Sequence, residues 1–287
     1  MLTPEQIQTI AVCGAGTMGA GIAQVAAISG YYTILFDIQL PVLEKAREQI
    51  IRSLDGGVDR GKITAAERES ALKRIRFTQD PYDCIAEVII EAIVEKTEAK
   101  IALFNQLSEI NHSDTVFASN TSSLSISAIA AGVVVNPARI VGMHFFNPAW
   151  LMKLVEVVSG VQTSAAVTNL VYDLAVKMGK TPVRVKDAPG FIVNRVARHY
   201  YLEAMHIAAE ELASFRTIDR LMENAGFRMG PFELMDLIGN DINLAVTQSL
   251  YTAFAAAPRF KPHVLQEQRV AAGQLGRKTG KGFYDYQ

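Results

Sequence analysis

The segment that most constrains this chain is its beginning. An apolar run over residues 9–13 passes directly into Gly14-Ala15-Gly16-Thr17-Met18-Gly19 and then into an alanine-rich helical pattern over 18–29. Strand, glycine turn and helix in that order form the opening unit of a parallel sheet with crossover helices, and the glycines let the backbone approach a ligand closely. Unpaired N–H groups and the dipole at the helix start favour negative charge, so Gly14, Gly16, Thr17, Met18 and Gly19 are the candidate phosphate cradle. An ordinary glycine-rich turn has the same local pattern. The second strand separates the two readings, because it ends in Leu35-Phe36-Asp37 and so places a carboxylate where a ribose hydroxyl of a dinucleotide lies. A carboxylate about 5 Å from a 2'-phosphate is repelled by about 3 kcal/mol at an effective dielectric of about 20. NAD rather than NADP is therefore the expected cofactor, the alternative for Asp37 being a turn-initiating residue at a strand end.

Further apolar runs follow at 33–37, 88–92, 115–119, 140–145, 154–158 and 182–186, separated by helical patterns such as 96–109. Continuous apolar strands alternating with helices predict an α/β fold, a Rossmann-type, doubly wound, mostly parallel sheet. The connection from Asp37 to Val88 far exceeds what one crossover helix needs, and its amphipathic stretches at 42–54 and 65–76 read as an inserted helical arm over about 41–78. After Asp187 the strand signal stops and helices follow, at about 191–213, from Pro231, and over 242–254. The expected division is 1–187 for the nucleotide-binding domain and 188–287 for an all-helical domain.

Composition narrows the partners. With 49% hydrophobic and 20% charged residues over 287 positions the chain is neither disordered nor a stapled miniprotein. A formal charge of −1 supplies no field for nucleic acid or anionic membrane, and no run approaches a membrane span. Cys13 and Cys84 each sit in apolar sequence, which argues against a disulfide and for a reducing, cytoplasmic compartment. Strand-like sequence from about residue 7 leaves no room for a targeting segment. No metal site is expected.

In open parallel sheets ligands collect at the carboxyl ends of strands. The 115–119 strand ends in Asn120-Thr121-Ser122-Ser123, the 140–145 strand carries His144 and runs on to Asn147-Pro148, and Glu156 alternates with Leu154 and Val158 on an apolar face. An unpaired carboxylate there is costly, so Glu156 needs a partner, and an imidazole paired with it is fixed in tautomer and made a better base for an alcohol proton. The plainer alternatives are a hydrogen-bonded core histidine, an edge-strand glutamate, and Ser122 and Ser123 as helix caps. Asn194, early in the helix after Pro189-Gly190 and among apolar residues, faces a polar cleft, a buried partner or solvent.

Taken together the blocks at 14–21 (GAGTMGAG), 119–124 (SNTSSL), 144–148 (HFFNP), 152–157 (MKLVEV), 189–195 (PGFIVNR), 229–234 (MGPFEL) and 278–284 (KTGKGFY) make the chain resemble a 3-hydroxyacyl-CoA dehydrogenase over nearly its whole length. The resemblance implies NAD-dependent oxidation of the 3-hydroxyl of a (S)-3-hydroxyacyl-CoA thioester, and a homodimer formed through the helical domain. It implies that His144 is the catalytic base oriented by Glu156, that Ser122 and Asn194 contact the reacting substrate, and that Asp37, Glu95, Lys100, Asn120, Ser122, Asn147 and Lys278 contribute to NAD binding. Ser53 and Ser122 match positions that contact CoA, and Arg60 falls where some members carry a CoA-binding lysine. Residues 45–76 hold nine basic and five acidic side chains, which suits an anionic CoA or, equally, a solvated helix face. The most similar members act on short or dicarboxylic acyl groups, such as 3-hydroxybutyryl-CoA and the 3-hydroxyadipyl-CoA of aromatic catabolism, and Trp150 departs from the proline common in the family. The rival expectations are a dehydrogenase of free β-hydroxyacids, disfavoured because Asn194 and Arg195 stand where that class has a lysine, and a noncatalytic NAD-binding protein.

Overall fold

The computed structural model describes residues 2–134 and 136–286, and the chain divides into two compact units, Met1–Ala188 and Pro189–Gln287. Among the described residues the first unit contains one eight-stranded sheet, built from β1 (Thr9–Cys13), β2 (Tyr32–Phe36), β3 (Ile75–Thr78), β4 (Val88–Glu91), β5 (Val116–Ser119), β6 (Ile140–Phe145), β7 (Leu154–Ser159) and β8 (Thr181–Lys186), in the order β3-β2-β1-β4-β5-β6-β7-β8. Every pairing is parallel except β6 with β7. The central strands β1, β4, β5 and β6 are buried on both faces, which is why they read as continuous apolar runs rather than alternating ones.

Helix α1 (Thr17–Ile28) crosses from β1 to β2 and buries nine of its twelve residues. Its small side chains on every face are what such a helix needs to sit between a sheet and the elements above it. The insertion after β2 holds α2 (Leu40–Asp59), which buries the single stripe Leu43, Ala46, Ile50 and Leu54, and α3 (Ala65–Arg74), opened by a reciprocal Thr64/Glu67 capping box. The insertion is not helical throughout. Residues 75–78, expected as the end of a helix and its trailing loop, form the edge strand β3 beside β2. Four residues with only Ile75 and Thr78 buried are too short to show a strand period, and the pairing partner alone makes them a strand. The remaining crossovers are α4 (Thr97–Ser108), α5 (Ile126–Gly132) and α6 (Ala165–Lys177).

The second unit is helical: α7 (Val193–Ala209), α8 (Phe215–Asn224), α9 (Pro231–Ile238), α10 (Asn240–Ala253) and α11 (Val264–Ala271). The expected span of 191–213 for its first helix is trimmed at both ends, because Phe191 (φ 50°) and Glu211 (φ 58°) take left-handed backbone that an α-helix cannot contain. Tyr201, Leu202, Met205, Phe232, Met235 and Phe283 form its core, so Tyr201 and Met205 serve packing within the unit. Its tail is tied down by two buried carboxylates. Asp236 accepts from Phe283 N at 2.9 Å, Tyr284 N at 3.0 Å and Tyr286 Oη at 3.0 Å, while Asp219 accepts from Tyr284 Oη at 2.8 Å. A Cβ at position 282 would lie 2.0 Å from Asp236 Oδ1, which explains the glycine of the KGFY segment.

Candidate active site

The glycine turn packs as a dinucleotide cradle requires. Gly14 has φ 99°, and a Cβ there would lie 2.5 Å from Ala92 O, so the turn runs against the end of β4. A Cβ on Gly19 would lie 1.7 Å from Gly14 O, which brings α1 down onto the turn. Gly16, by contrast, faces open space, with no atom within 4 Å of an added Cβ. It caps α1 with no side-chain hydrogen bond, and the first helical turn contains no acidic residue. Close packing behind and an uncapped, open helix start in front fit a pyrophosphate. Asp37 lies just past β2, and its carboxylate is fixed by two backbone donors, Ala15 N at 2.8 Å and Gln39 N at 3.0 Å. The first of these ties the carboxylate directly to the glycine turn.

At the other side of the sheet the one antiparallel pairing brings the two chemically loaded strands together. In the β6–β7 register His144 stands directly opposite Glu156, so both side chains share a face. His144 Nδ1 lies 2.8 Å from Glu156 Oε2, with the histidine 5% and the glutamate 0% exposed. A carboxylate only accepts, so Nδ1–H donates and Nε2 holds the lone pair. The imidazole also packs on Phe146, ring centroids 4.5 Å apart. Next to it, Asn120 Oδ1 accepts from Phe145 N at 2.8 Å, joining the end of β5 to the end of β6. Asn147 begins the turn after β6, preceding a cis proline.

Between these two sites lies a buried ionic network. Lys100 Nζ, 1% exposed, reaches Glu91 Oε1 at 2.6 Å and Glu95 Oε2 at 3.1 Å. Glu91 also accepts from Ser119 Oγ at 2.7 Å and Ile93 N at 2.7 Å. Burial pushes the Glu91 carboxyl above the usual carboxylate range, with Lys100 working against it. Burial works in the same direction on Glu95, but there the Lys100 ammonium and the Thr121 hydroxyl prevail and hold the carboxyl below that range. Glu95 Oε1 accepts from Thr121 Oγ1 at 2.5 Å, Ser122 N at 3.0 Å and Ser123 Oγ at 3.1 Å. One carboxylate thus shapes the whole 121–123 loop. Ser122 and Ser123 do not cap the following helix; Ser125 does, accepting from Ala128 N.

Arg60 ends α2, and Ser53 stands two turns earlier on the same helix. Of the basic excess on the insertion, Arg52, Arg68 and Arg76 are engaged by Glu48, by Asp55 and Glu69, and by Asp83 respectively. Arg60 makes no ion pair among the described residues. Asn194 and Lys278 belong to the helical unit. Asn194 is the second residue of α7, its carbonyl accepting from Arg198 Nε at 3.3 Å, and Lys278 Nζ is gripped by both oxygens of Asp241 at 2.6 and 2.7 Å. Sequence reasoning missed Glu91 and Thr121, which hold Lys100 and Glu95 in place. The available signal was a carboxylate ending the apolar run VIIE with a lysine nine residues on.

Comparison with known proteins agrees with this arrangement. Residues 9–188 match the family model for the 3-hydroxyacyl-CoA dehydrogenase NAD binding domain, and 190–286 match that for its C-terminal domain. The chain is 49% identical over 282 residues to the 3-hydroxyadipyl-CoA dehydrogenase of Escherichia coli K12, covering 98% of this chain and 59% of that protein. It is 41% identical to the probable 3-hydroxybutyryl-CoA dehydrogenase of Bacillus subtilis, with 98% of each covered. The crystal structure of (S)-3-hydroxybutyryl-CoA dehydrogenase from Ralstonia eutropha superimposes with a TM-score of 0.93 at 40% identity, covering 98% of this chain and all of that one. Two consecutive family models spanning nearly the full length, on a sheet with a dinucleotide cradle at one strand end and a buried His–Glu pair at another, place this chain in the 3-hydroxyacyl-CoA dehydrogenase family.

Proposed function

We propose that the chain catalyses the reversible, NAD-dependent oxidation of the 3-hydroxyl of a (S)-3-hydroxyacyl-CoA to the 3-oxoacyl-CoA. The observation that carries this reading is the buried His144–Glu156 pair, set at 2.8 Å by directly opposed strand positions. His144 Nε2 takes the proton of the substrate hydroxyl, and Glu156 holds the ring in the tautomer that puts the lone pair on this nitrogen while offsetting the charge that develops. In the reverse direction the imidazolium returns the proton to the ketone oxygen. NAD, when bound, supplies the acceptor for the hydride leaving C3. Gly14, Gly16, Thr17, Met18 and Gly19 hold its pyrophosphate and Asp37 its adenosine ribose. Glu95, Asn120, Ser122, Asn147 and Lys278 complete the NAD site, and Lys100, with its ammonium enclosed by two carboxylates, acts through Glu95. Ser122 and Asn194 orient the reacting end of the substrate, while Ser53, Arg60 and Ser122 hold the CoA.

The helical unit is assigned substrate binding and homodimer formation. Leu212, Leu221 and Phe227, all exposed on it, support an interface there. No helix among the described residues is long and apolar enough to cross a membrane, and the proposed compartment is the cytoplasm. The substrates proposed are short or dicarboxylic acyl groups, after the names of the relatives above. The test is NADH oxidation with acetoacetyl-CoA and 3-oxoadipyl-CoA, comparing the parent with His144→Gln. Loss of about two to four orders of magnitude in kcat with NADH binding retained supports the reading, and the ratio of the two kcat/KM values selects the acyl class. NADH binding without turnover of either thioester refutes it.

A further inference from the structure

Helix α2 carries Gly56 and Gly57 in its last turn, and a glycine within a helix costs up to about 1 kcal/mol against alanine. The structure gives Gly56 a use. A Cβ at position 56 would lie 3.1 Å from the Arg60 guanidinium, so the arginine lies back across the helix into space that a side chain at position 56 would crowd. Ser53, Gly56 and Arg60 follow at spacings of three and four and share one face. On that face, among the described residues, the Ser53 hydroxyl oxygen is buried with no hydrogen-bond partner and Arg60 makes no ion pair. Beside Arg60 stands Trp150, the only tryptophan of the chain, its ring centroid 5.9 Å from the guanidinium carbon.

Trp150 is held there by a rigid turn. The ammonium of Lys180, 8% exposed, donates to Ala149 O and, at 3.0 Å, to Met152 O, bracketing the indole-bearing residue from both sides. The same turn packs on α1, where a Cβ at Gly21 would lie 3.1 Å from that of Ala149. A tryptophan 36% exposed, and a guanidinium and a buried hydroxyl that among the described residues have no ion-pair and no hydrogen-bond partner respectively, suit a ligand that is both flat and anionic. A guanidinium drawn to an indole still has N–H groups to give a phosphate.

We propose that Trp150 is a substrate-binding residue for the nucleotide end of the coenzyme A thioester, stacking on the adenine while Arg60 takes a phosphate. This rests on the reading of the chain as an acyl-CoA enzyme. It assigns to Trp150, where the family commonly has proline, a role in gripping the CoA handle rather than in choosing the acyl group. An aromatic stack explains the indole; a site for an acyl carboxylate would need the cation alone.

The test uses the whole protein with two thioesters of the same acyl group, acetoacetyl-CoA and acetoacetyl-N-acetylcysteamine, which lacks the nucleotide. Trp150→Ala is expected to lower the kcat/KM preference for the CoA thioester over the truncated one about tenfold, through KM, and Trp150→Phe to restore most of it. Because Trp150 is the sole tryptophan, titration with free coenzyme A is expected to quench indole emission saturably in the parent. Equal preference ratios in parent and Trp150→Ala overturn the proposal. So does a change confined to the ratio of 3-oxoadipyl-CoA to acetoacetyl-CoA, which would move Trp150 to the acyl terminus. Both results leave turnover of acetoacetyl-CoA by the parent intact, so failure of this inference and failure of the enzymatic reading are separate outcomes.

Discussion

Replacing Glu156 by glutamine keeps the shape of the side chain and removes its charge at the most enclosed point of the proposed site. The carboxylate is fully buried, and Oε2 lies 2.8 Å from His144 Nδ1, which sets the charge centres about 4 Å apart. At that separation a full charge pair is worth about 4 kcal/mol at an effective dielectric of about 20. This is the stabilisation available to an imidazole that becomes positive while accepting the substrate proton. At 1.36 kcal/mol per decade it corresponds to about three orders of magnitude in rate. Some of it is recovered by the amide oxygen, which still accepts from Nδ1–H, so the expected loss in kcat is about two to three orders of magnitude. The amide nitrogen turned toward Nδ1 would instead stabilise the wrong tautomer, which adds to the loss. The assay is NADH oxidation with acetoacetyl-CoA at saturating concentrations of both, alongside NADH binding by fluorescence and thermal unfolding. A variant with parental Tm and NADH affinity whose kcat stays within threefold of the parent would refute the reasoning, since it leaves the buried carboxylate with no part in proton transfer.

Two further outcomes follow from the same geometry. Asp37→Ser removes the charge that repels a 2'-phosphate while leaving an acceptor near Ala15 N, so the kcat/KM ratio of NADPH over NADH should rise by up to about two orders of magnitude; a ratio that moves less than threefold removes Asp37 as the discriminating group. Lys180 is buried without a carboxylate partner among the described residues, and burial, with repulsion from Lys153 adding to it, lowers its ammonium from 10.5 to about 8. Between those values the unfolded chain holds a proton that the folded chain has released, so this residue makes stability rise with pH across that window and weakens the fold below it. The Tm of the parent should therefore gain on that of Lys180→Met by several degrees between pH 8 and pH 10, and a gap that does not change with pH excludes the effect.

Much of this molecule was legible in its residues because the signals were local. A glycine turn after a short apolar run announces itself, since Gly14 and Gly19 occupy positions where a Cβ collides with backbone. Buried parallel strands read as apolar runs, and seven of the eight were placed to within a residue or two at their ends. The eighth, β3, was hidden because four residues at a sheet edge have no period of their own and are strand only by virtue of β2. His144 and Glu156 stood out as polar residues in apolar company, a conflict that one chain position cannot resolve by itself.

The sequence by itself determined which residues had to be paired or cradled; the tertiary structure decided with what. The β6–β7 register turns two isolated liabilities into one hydrogen-bonded couple, since a slip of one residue would send Glu156 to the opposite face. Burial encloses Lys100 between Glu91 and Glu95 and so makes it a support for the 121–123 loop. The meeting of Arg60 with Trp150, ninety positions apart in the chain, depends on a helix lying beside a turn that Lys180 holds in place. Period and composition act over a few residues, whereas charge and contact act through space, and the site was assembled by the second kind of force.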